Sequence, residues 1–455
     1  MPAMLTAASL LSAFIGQTPS PEHAVPDISA LRAEPFPLEA VRLAEGPFLR
    51  AMERNSQWLL SLDPDRLLSR FRSEAGLEPR AEPYGGWEAD TIAGHTLGHY
   101  LTACAKTYAS TGDERFRERT AAIVADLRSC QEAQGDGYVA AIPGGRQALE
   151  QVRAGQIRSA GFDLNGIWVP WYTLHKLFAG LIDTYIHCGN ERALQVAADL
   201  ADWVYDLTSG LTPEQWQTML ACEHGGINES MAELYAITGE ERYLELSRRF
   251  HHTDILEPLA RGEDLLPGRH GNTQIPKVIG VARRYEVTGD EQDRVIAANF
   301  WDIVVNHHTY VTGGNTNSEH FGPPDQLAER LGASSTETCN TYNMLKLTRH
   351  LMAWDPSGPY GDYIERALFN HILASQNPET GMVCYYLPLK PGEFKTYSTP
   401  EDSFWCCVGT GIENHAKYGE SIYYRDEDGL YVNLFIASTL EWPERGLALE
   451  QSTLF

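Results

Sequence analysis

Apolar residues recur at helical spacing along most of this chain, and four amphipathic runs end alike: Tyr108-Ala-Ser-Thr-Gly112, Tyr185-Ile-His-Cys-Gly189, Tyr235-Ala-Ile-Thr-Gly239 and Tyr285-Glu-Val-Thr-Gly289. Each Gly stands where a left-handed cap closes a helix, and the Asp, Asn or Glu followed by Glu after it suits the positive start of the next one. The pattern predicts a helical hairpin used repeatedly. Tyr185, Tyr235 and Tyr285 recur at a spacing of 50 residues, long for a two-helix solenoid unit but suited to long pairs that close into a ring. A fifth unit is read from Cys339 through the Pro356-Ser357-Gly358 break into the run from Tyr363 to His371. A sixth is placed near Cys407, with Glu413 to Tyr424 as its helix. The expected fold is mainly α, an (α/α)6 toroid whose inner helices surround a central cavity. An open helical solenoid is the alternative. The unequal inserts between units favour the ring, because they build one face around a single pocket.

After about Arg425 the period changes. Leu430 to Ile436, introduced by Asp428-Gly429, reads as a β-strand, and Leu447 to Leu449 looks similar. These are read as the first strands of a partial β-sandwich over 426–455, poorly paired, with Leu38 to Leu43 adding a strand to the same module. The helical barrel is assigned to 31–425. Residues 1–30 read as a signal peptide and linker, from the apolar run Ala3 to Gly16 before a stretch with Pro and Ser. Against that reading stand the lack of Lys or Arg ahead of the run and of an A-x-A cleavage site. Export implies a periplasmic or extracellular location, and its absence a cytoplasmic one.

A chain of 455 residues with 43% apolar content can bury a large core. Lys and Arg number 36 against 61 Asp and Glu, for a net charge of -25. Such a chain repels phosphate backbones and anionic lipid, so neither nucleic acid nor a membrane is expected as a partner. No apolar stretch reaches the length of a bilayer span. A homodimer is left open. Eight cysteines over this length do not make a disulfide framework; Cys104, Cys130, Cys188, Cys222 and Cys384 read as core.

Cys406 and Cys407 are adjacent, and adjacent residues do not readily close a disulfide, since their Cα atoms lie only ~3.8 Å apart. Glu337-Thr-Cys339 lies upstream. Together these residues offer three thiols and a carboxylate, enough for a tetrahedral ion, and such a donor set favours zinc over magnesium or calcium. Buried apolar cysteines are the competing reading. His95, His175, His224 and His270 fall at or just ahead of the starts of the helices that end in the repeated Tyr, so they and the thiols share one rim. Neutral imidazoles suit the hydroxyls of a sugar, and Trp87, Trp171 and Trp405 could wall such a site or simply be core. Glu319, after the Gly313-Gly314-Asn315 loop, is a candidate general acid/base or a plain surface carboxylate.

These residues carry a family resemblance. Glu337-Thr-Cys339, Cys406-Cys407, Trp87-Glu88 with Gly94-His95-Thr-Leu-Gly98-His99-Tyr100, and His270-Gly-Asn-Thr-Gln-Ile-Pro276 together resemble the β-L-arabinofuranosidases of glycoside hydrolase family 127 and the related family 146, from about Pro37 to Arg425. The resemblance implies an (α/α)6 barrel with appended β-sandwich domains and a Zn2+ ion held by Glu337, Cys339, Cys406 and Cys407. It also implies Cys406 as nucleophile, Glu319 as acid/base and an arabinofuranoside-containing glycan as substrate. His175, His224 and His270 match substrate-contacting positions, with His95 and Trp87 as further candidates beside them. Two other classes compete: an α/α-barrel sugar epimerase or lyase, and a non-catalytic carbohydrate-binding scaffold with a structural zinc.

Overall fold

The structure is a computed structural model that describes residues 23–27 and 31–453. The expected export segment lies, apart from residues 23–27, outside the described residues. In chain order the helices are α1 (Pro47–Ser61), α2 (Pro64–Glu74), α3 (His95–Thr111), α4 (Glu114–Gln134), α5 (Gly145–Arg153), α6 (Pro170–Cys188), α7 (Glu191–Thr208) and α8 (Pro213–Leu220). They continue as α9 (Ile227–Thr238), α10 (Glu241–Arg249), α11 (Thr253–Ala260), α12 (Gly271–Thr288), α13 (Glu291–Ile303), α14 (Thr338–Trp354), α15 (Gly358–Ala367) and α16 (Cys406–Asn414).

The repeated endings act as read. Gly112, Gly189, Gly239 and Gly289 all have positive φ, and their N–H groups donate to Tyr108, Tyr185, Tyr235 and Tyr285 at 2.7–2.9 Å. Asp113, Asn190 and Asp290 then cap the next helix with their side chains. The first helix of each pair is buried on nearly every side, as α3 and α12 are, whereas its successor is amphipathic, which sorts inner from outer helices. Helix α3 packs on α6, α6 on α9, α9 on α12, α12 on α14 and α14 on α16, and α16 returns to α3. The ring is closed, with six inner helices. At Gly98 a Cβ would come within 2.2 Å of the Lys176 backbone, so a bare backbone is what lets α3 and α6 touch.

Outside the ring, α4, α7, α10, α13 and α15 each lie on the inner helix that precedes them. The sixth outer helix corrects the sequence reading. Glu413 to Tyr424 is not a helix, because α16 stops at Asn414 and Tyr423–Arg425 becomes a strand. Helix α1 fills the place instead: Asn55 Nδ2 donates to Ile412 O at 2.8 Å, and Tyr100 OH donates to Leu59 O at 2.8 Å.

Strands β1 (Glu34–Pro35), β2 (Val41–Leu43), β6 (Tyr423–Arg425), β7 (Leu430–Val432), β8 (Ser438–Trp442) and β9 (Leu447–Gln451) bracket the ring, while β3 (Ser159–Ala160), β4 (Asp163–Leu164) and β5 (Ile167–Trp168) form an insert ahead of α6. The sheets run β1-β6-β7, β2-β8-β9 and β3-β4-β5, all antiparallel. The C-terminal strands are not poorly paired, since β8 meets β9 from Ser438↔Gln451 to Trp442↔Leu447. Of the three runs read as strands, Leu447 to Leu449 lies within β9, whereas Leu38 to Ala40 is a 3-10 turn ahead of β2. Leu434 and Ile436 are buried beyond the end of β7 without extending it. Among the described residues no helix is long and apolar enough to cross a membrane.

Candidate active site

Glu337 stands at the N-cap position of α14 without a side-chain capping bond, Cys339 lies in its first turn, and Cys406 and Cys407 open α16. Because α14 and α16 are neighbours in the ring, the two starts bring all four groups to one rim, where helix N-termini favour negative charge. Their ligand atoms all lie within 4.8 Å of one another and the residues are buried. The Cys339 and Cys407 sulfurs are 3.2 Å apart, those of Cys406 and Cys407 3.9 Å, and Cys407 Sγ is 3.8 Å from Glu337 Oε1. Zinc–sulfur bonds of about 2.3 Å set sulfur–sulfur edges of about 3.8 Å, close to the Cys406–Cys407 distance and longer than that of Cys339–Cys407.

Two further observations fit a cation. Glu337 Oε2 is buried with no hydrogen-bond partner. Burial pushes Glu337, Cys339 and Cys407 well above their usual pKa values, while Cys406 is held well below by hydrogen bonds from Cys339 and Cys407. Four acidic groups so close together cannot all ionise unless positive charge sits among them. The donors are geometrically consistent with a zinc site.

A cavity of about 210 Å³ opens on this cluster, lined by Trp87, Phe162, Trp168, Tyr172, Glu223, His270, Asn272, Glu319, Glu337, Tyr385 and Cys406 among others. It is smaller than the ~300–1,000 Å³ of drug-sized sites, and so suits one sugar ring. Cys406 is 7% exposed and faces the cavity, while Cys339 and Cys407 are sealed beneath it. Glu319 sits in a tight turn at φ 68°, and its carbonyl accepts from Gly271 N–H at 2.7 Å. Its Oε1 accepts from Tyr385 OH at 2.5 Å, and its Oε2 lies 3.6 Å from His270 Nε2. The nearby His270 imidazole and the Tyr385 hydrogen bond hold the Glu319 carboxyl below its ordinary pKa against the effect of burial. Tyr385 OH also lies 3.5 Å from Cys406 Sγ, so one hydroxyl joins the candidate nucleophile and acid/base.

The backbone around this rim is strained. Val169, Thr316, Ser318, Glu319, Thr336 and Phe404 all have positive φ although none is glycine. Each lies in or beside a segment that supplies the cavity, as strain held by surrounding structure commonly does at functional sites. Behind the cysteines, Glu413 of α16 is bonded to His99 Nδ1 of α3 and accepts from Tyr342 OH of α14, tying three inner helices together.

The structure separates the histidines. His270 and Trp87 line the cavity, whereas His95, His175 and His224 are buried and not among the lining residues. His175 lies more than a turn inside α6 instead of at its start, and its Nδ1 accepts from Gly226 N–H at 3.0 Å. The His95 ring is 6.3 Å from Trp87 and 6.0 Å from Tyr172, and His224 is 6.5 Å from His252. Burial pushes all three imidazoles well down, so they stay neutral. Trp171 is fully buried core, and Trp405 packs 5.8 Å from Tyr385. Cys188 is only half-buried, unlike the other cysteines read as core.

Sequence reasoning missed Tyr385, Glu223, Tyr172, Asn272, Phe162 and Trp168. For the last two a signal was present. Asn165-Gly166 is the pair preferred in two-residue hairpins; both have positive φ here, at the turn between β4 and β5.

The site is thus a Cys3Glu cluster at the floor of a sugar-sized cavity within a closed six-pair helical ring. Residues 40–420 match the family described as the β-L-arabinofuranosidase GH127 catalytic domain, and the chain belongs to that family. It is 27% identical over 311 residues to a non-reducing end β-L-arabinofuranosidase of Bifidobacterium longum subsp. longum, an alignment covering 59% of this chain and 46% of the relative. Among solved structures it resembles a GH127 β-arabinofuranosidase with a TM-score of 0.71 and 18% identity, over 91% of this chain and 66% of that one. It also resembles a GH127 β-L-arabinofuranosidase from Geobacillus stearothermophilus T6, with a TM-score of 0.66 and 21% identity, over 88% and 68%. These structures share the fold. The chain thus spans about half the length of the curated relative and about two thirds of the solved chains.

Proposed function

We propose that this chain is a zinc-dependent retaining hydrolase that releases terminal β-L-arabinofuranose from a glycan or glycoside. The observation that carries the reading is that one sulfur of a buried four-donor cluster, Cys406, faces the cavity. A closed structural site would leave no such sulfur exposed, which argues against the non-catalytic scaffold. Zinc held by Glu337, Cys339, Cys406 and Cys407 would keep the sulfurs as thiolates near neutral pH.

In the first step Cys406 Sγ forms a bond to the anomeric carbon as the bond to the leaving oxygen breaks, and Glu319 gives that oxygen its proton. In the second, Glu319 takes a proton from water, the water oxygen bonds to the same carbon, and the carbon–sulfur bond breaks with its electron pair returning to Cys406. Two inversions give net retention. The single hydroxyl between Glu319 and Cys406 fits the close spacing of retaining pairs, ~5–5.5 Å. Glu223, nearly buried and lining the cavity, offers acceptors for sugar hydroxyls, with Asn272 and His270 beside it.

The test is Cys406→Ala, assayed with an aryl β-L-arabinofuranoside and with product stereochemistry followed over time. We expect turnover to fall at least about a thousandfold with the fold intact. Retained turnover, or an inverted product from the unaltered chain, would end the reading.

A further inference from the structure

The side of the cavity where the leaving group must stand can be read from Glu319. Tyr385 OH occupies Oε1, so the oxygen free to protonate a departing group is Oε2, which faces His270 at 3.6 Å. Against His270 pack two more rings, each edge-on: Phe162 at 5.1 Å between centroids with the planes at 79°, and His320 at 5.4 Å and 87°. Phe162 is 40% exposed and His320 is exposed, whereas Tyr172, which also lines the cavity, is buried. The row therefore marks the mouth.

Phe162 is held there by its surroundings. It lies at the tip between β3 and β4, with its carbonyl accepting from Val169 N–H at 2.9 Å and the neighbouring Gly161 carbonyl accepting from Glu223 N–H at 2.8 Å. The base of the insert is fixed by one side chain: Asn165 Oδ1 accepts from Arg158 N–H at 2.9 Å, and its Nδ2 donates to Ala148 O at 3.1 Å and Gln156 O at 2.9 Å. A large apolar ring presented by a braced hairpin to open cavity space is a contact surface awaiting a flat partner.

We propose that Phe162, in a row with His270 and His320, forms the subsite for the leaving group, and that this subsite takes a second sugar ring stacked by its C–H face on the phenyl ring. Phe162 is then a specificity-determining residue. The inference rests on the hydrolase reading above, because it locates the leaving group from the role of Glu319.

The experiment compares two substrates on the whole chain: methyl β-L-arabinofuranoside and a disaccharide ending in β-L-arabinofuranose. Both leave as alcohols that need a proton from Glu319, and they differ chiefly in the area offered beyond the scissile bond. Phe162→Ala is expected to lower kcat/KM for the disaccharide on the order of tenfold more than for the methyl glycoside, chiefly through KM. Phe162→Leu, which keeps bulk but not a flat face, should also lose on the disaccharide, and Phe162→Tyr should restore it. Equal losses on both substrates, or no loss on the disaccharide, would overturn the subsite alone. An unaltered chain that cleaves neither substrate would overturn the hydrolase reading and this inference together.

Discussion

At the scale of single residues, the chemistry was legible where residue type alone limits what a group can do. Adjacent cysteines and a Glu-x-Cys triplet offered a metal's donor set, against buried apolar cysteines as the other reading, and the structure gathers them within 4.8 Å. Tyr385 was not legible, because tyrosines are common in cores and nothing local marks a hydroxyl that reaches both Glu319 and Cys406. Its role can be measured. Removing it with Tyr385→Phe deletes a hydrogen bond that holds the Glu319 pKa down. The limb of the pH–rate profile governed by Glu319 should therefore move to higher pH, with kcat falling about ten- to a hundredfold; an unmoved limb would detach Tyr385 from Glu319. For Glu319→Gln, the loss should be largest on alkyl leaving groups and smallest on acidic phenols, because a good leaving group needs little protonation. A uniform loss across a leaving-group series would remove Glu319 as the acid.

At the scale of elements, the helix endings were legible because a cap is a local device, satisfied within five residues. The stretch from Glu413 to Tyr424 misled because its strand is made by pairing with β1 and β7, and sheet partners distant in sequence leave no periodic trace. The charged contacts between elements have a pH signature. Glu286 on α12 lies 2.7 Å from His350 Nδ1 and accepts from Trp354 Nε1 at 3.0 Å, linking α12 to α14, and it also accepts from Arg283 at 3.1 Å. Burial alone would raise its pKa, but His350 and Arg283 outweigh that and hold it at about 2, against an ordinary 4.5. A carboxylate depressed on folding adds stability that is fully present above the unfolded value and is lost as pH falls toward the folded one. Glu286→Gln should therefore lower the urea midpoint most above about pH 4.5 and progressively less toward pH 2. A gap that stays constant through that window would mean the charge of Glu286 contributes nothing.

At the scale of the whole molecule, the ring followed from the repeats, but the identity of its sixth outer helix did not, because α1 and α16 meet across 357 residues of sequence. The Cys3Glu cluster lies at the other side of the same last inner helix, joining α14 to α16. Chelation should therefore do more than stop turnover: we expect Tm to fall by about 5–10 °C, with recovery on adding zinc. An unchanged Tm in metal-free protein would show that the ion adds nothing to the fold. The seam also bears on how the chain is made. During translation, α1 leaves the ribosome early and can pack on α3, but its contact with α16 must wait until residues beyond Cys406 follow it. The growing polypeptide must carry an open helical arc, its apolar inner faces uncovered, through most of its synthesis. Arrested nascent chains ending before α16 should accordingly be cut readily by added protease and held by chaperones, and resistance should arise abruptly once that last inner helix and the closing strands have emerged.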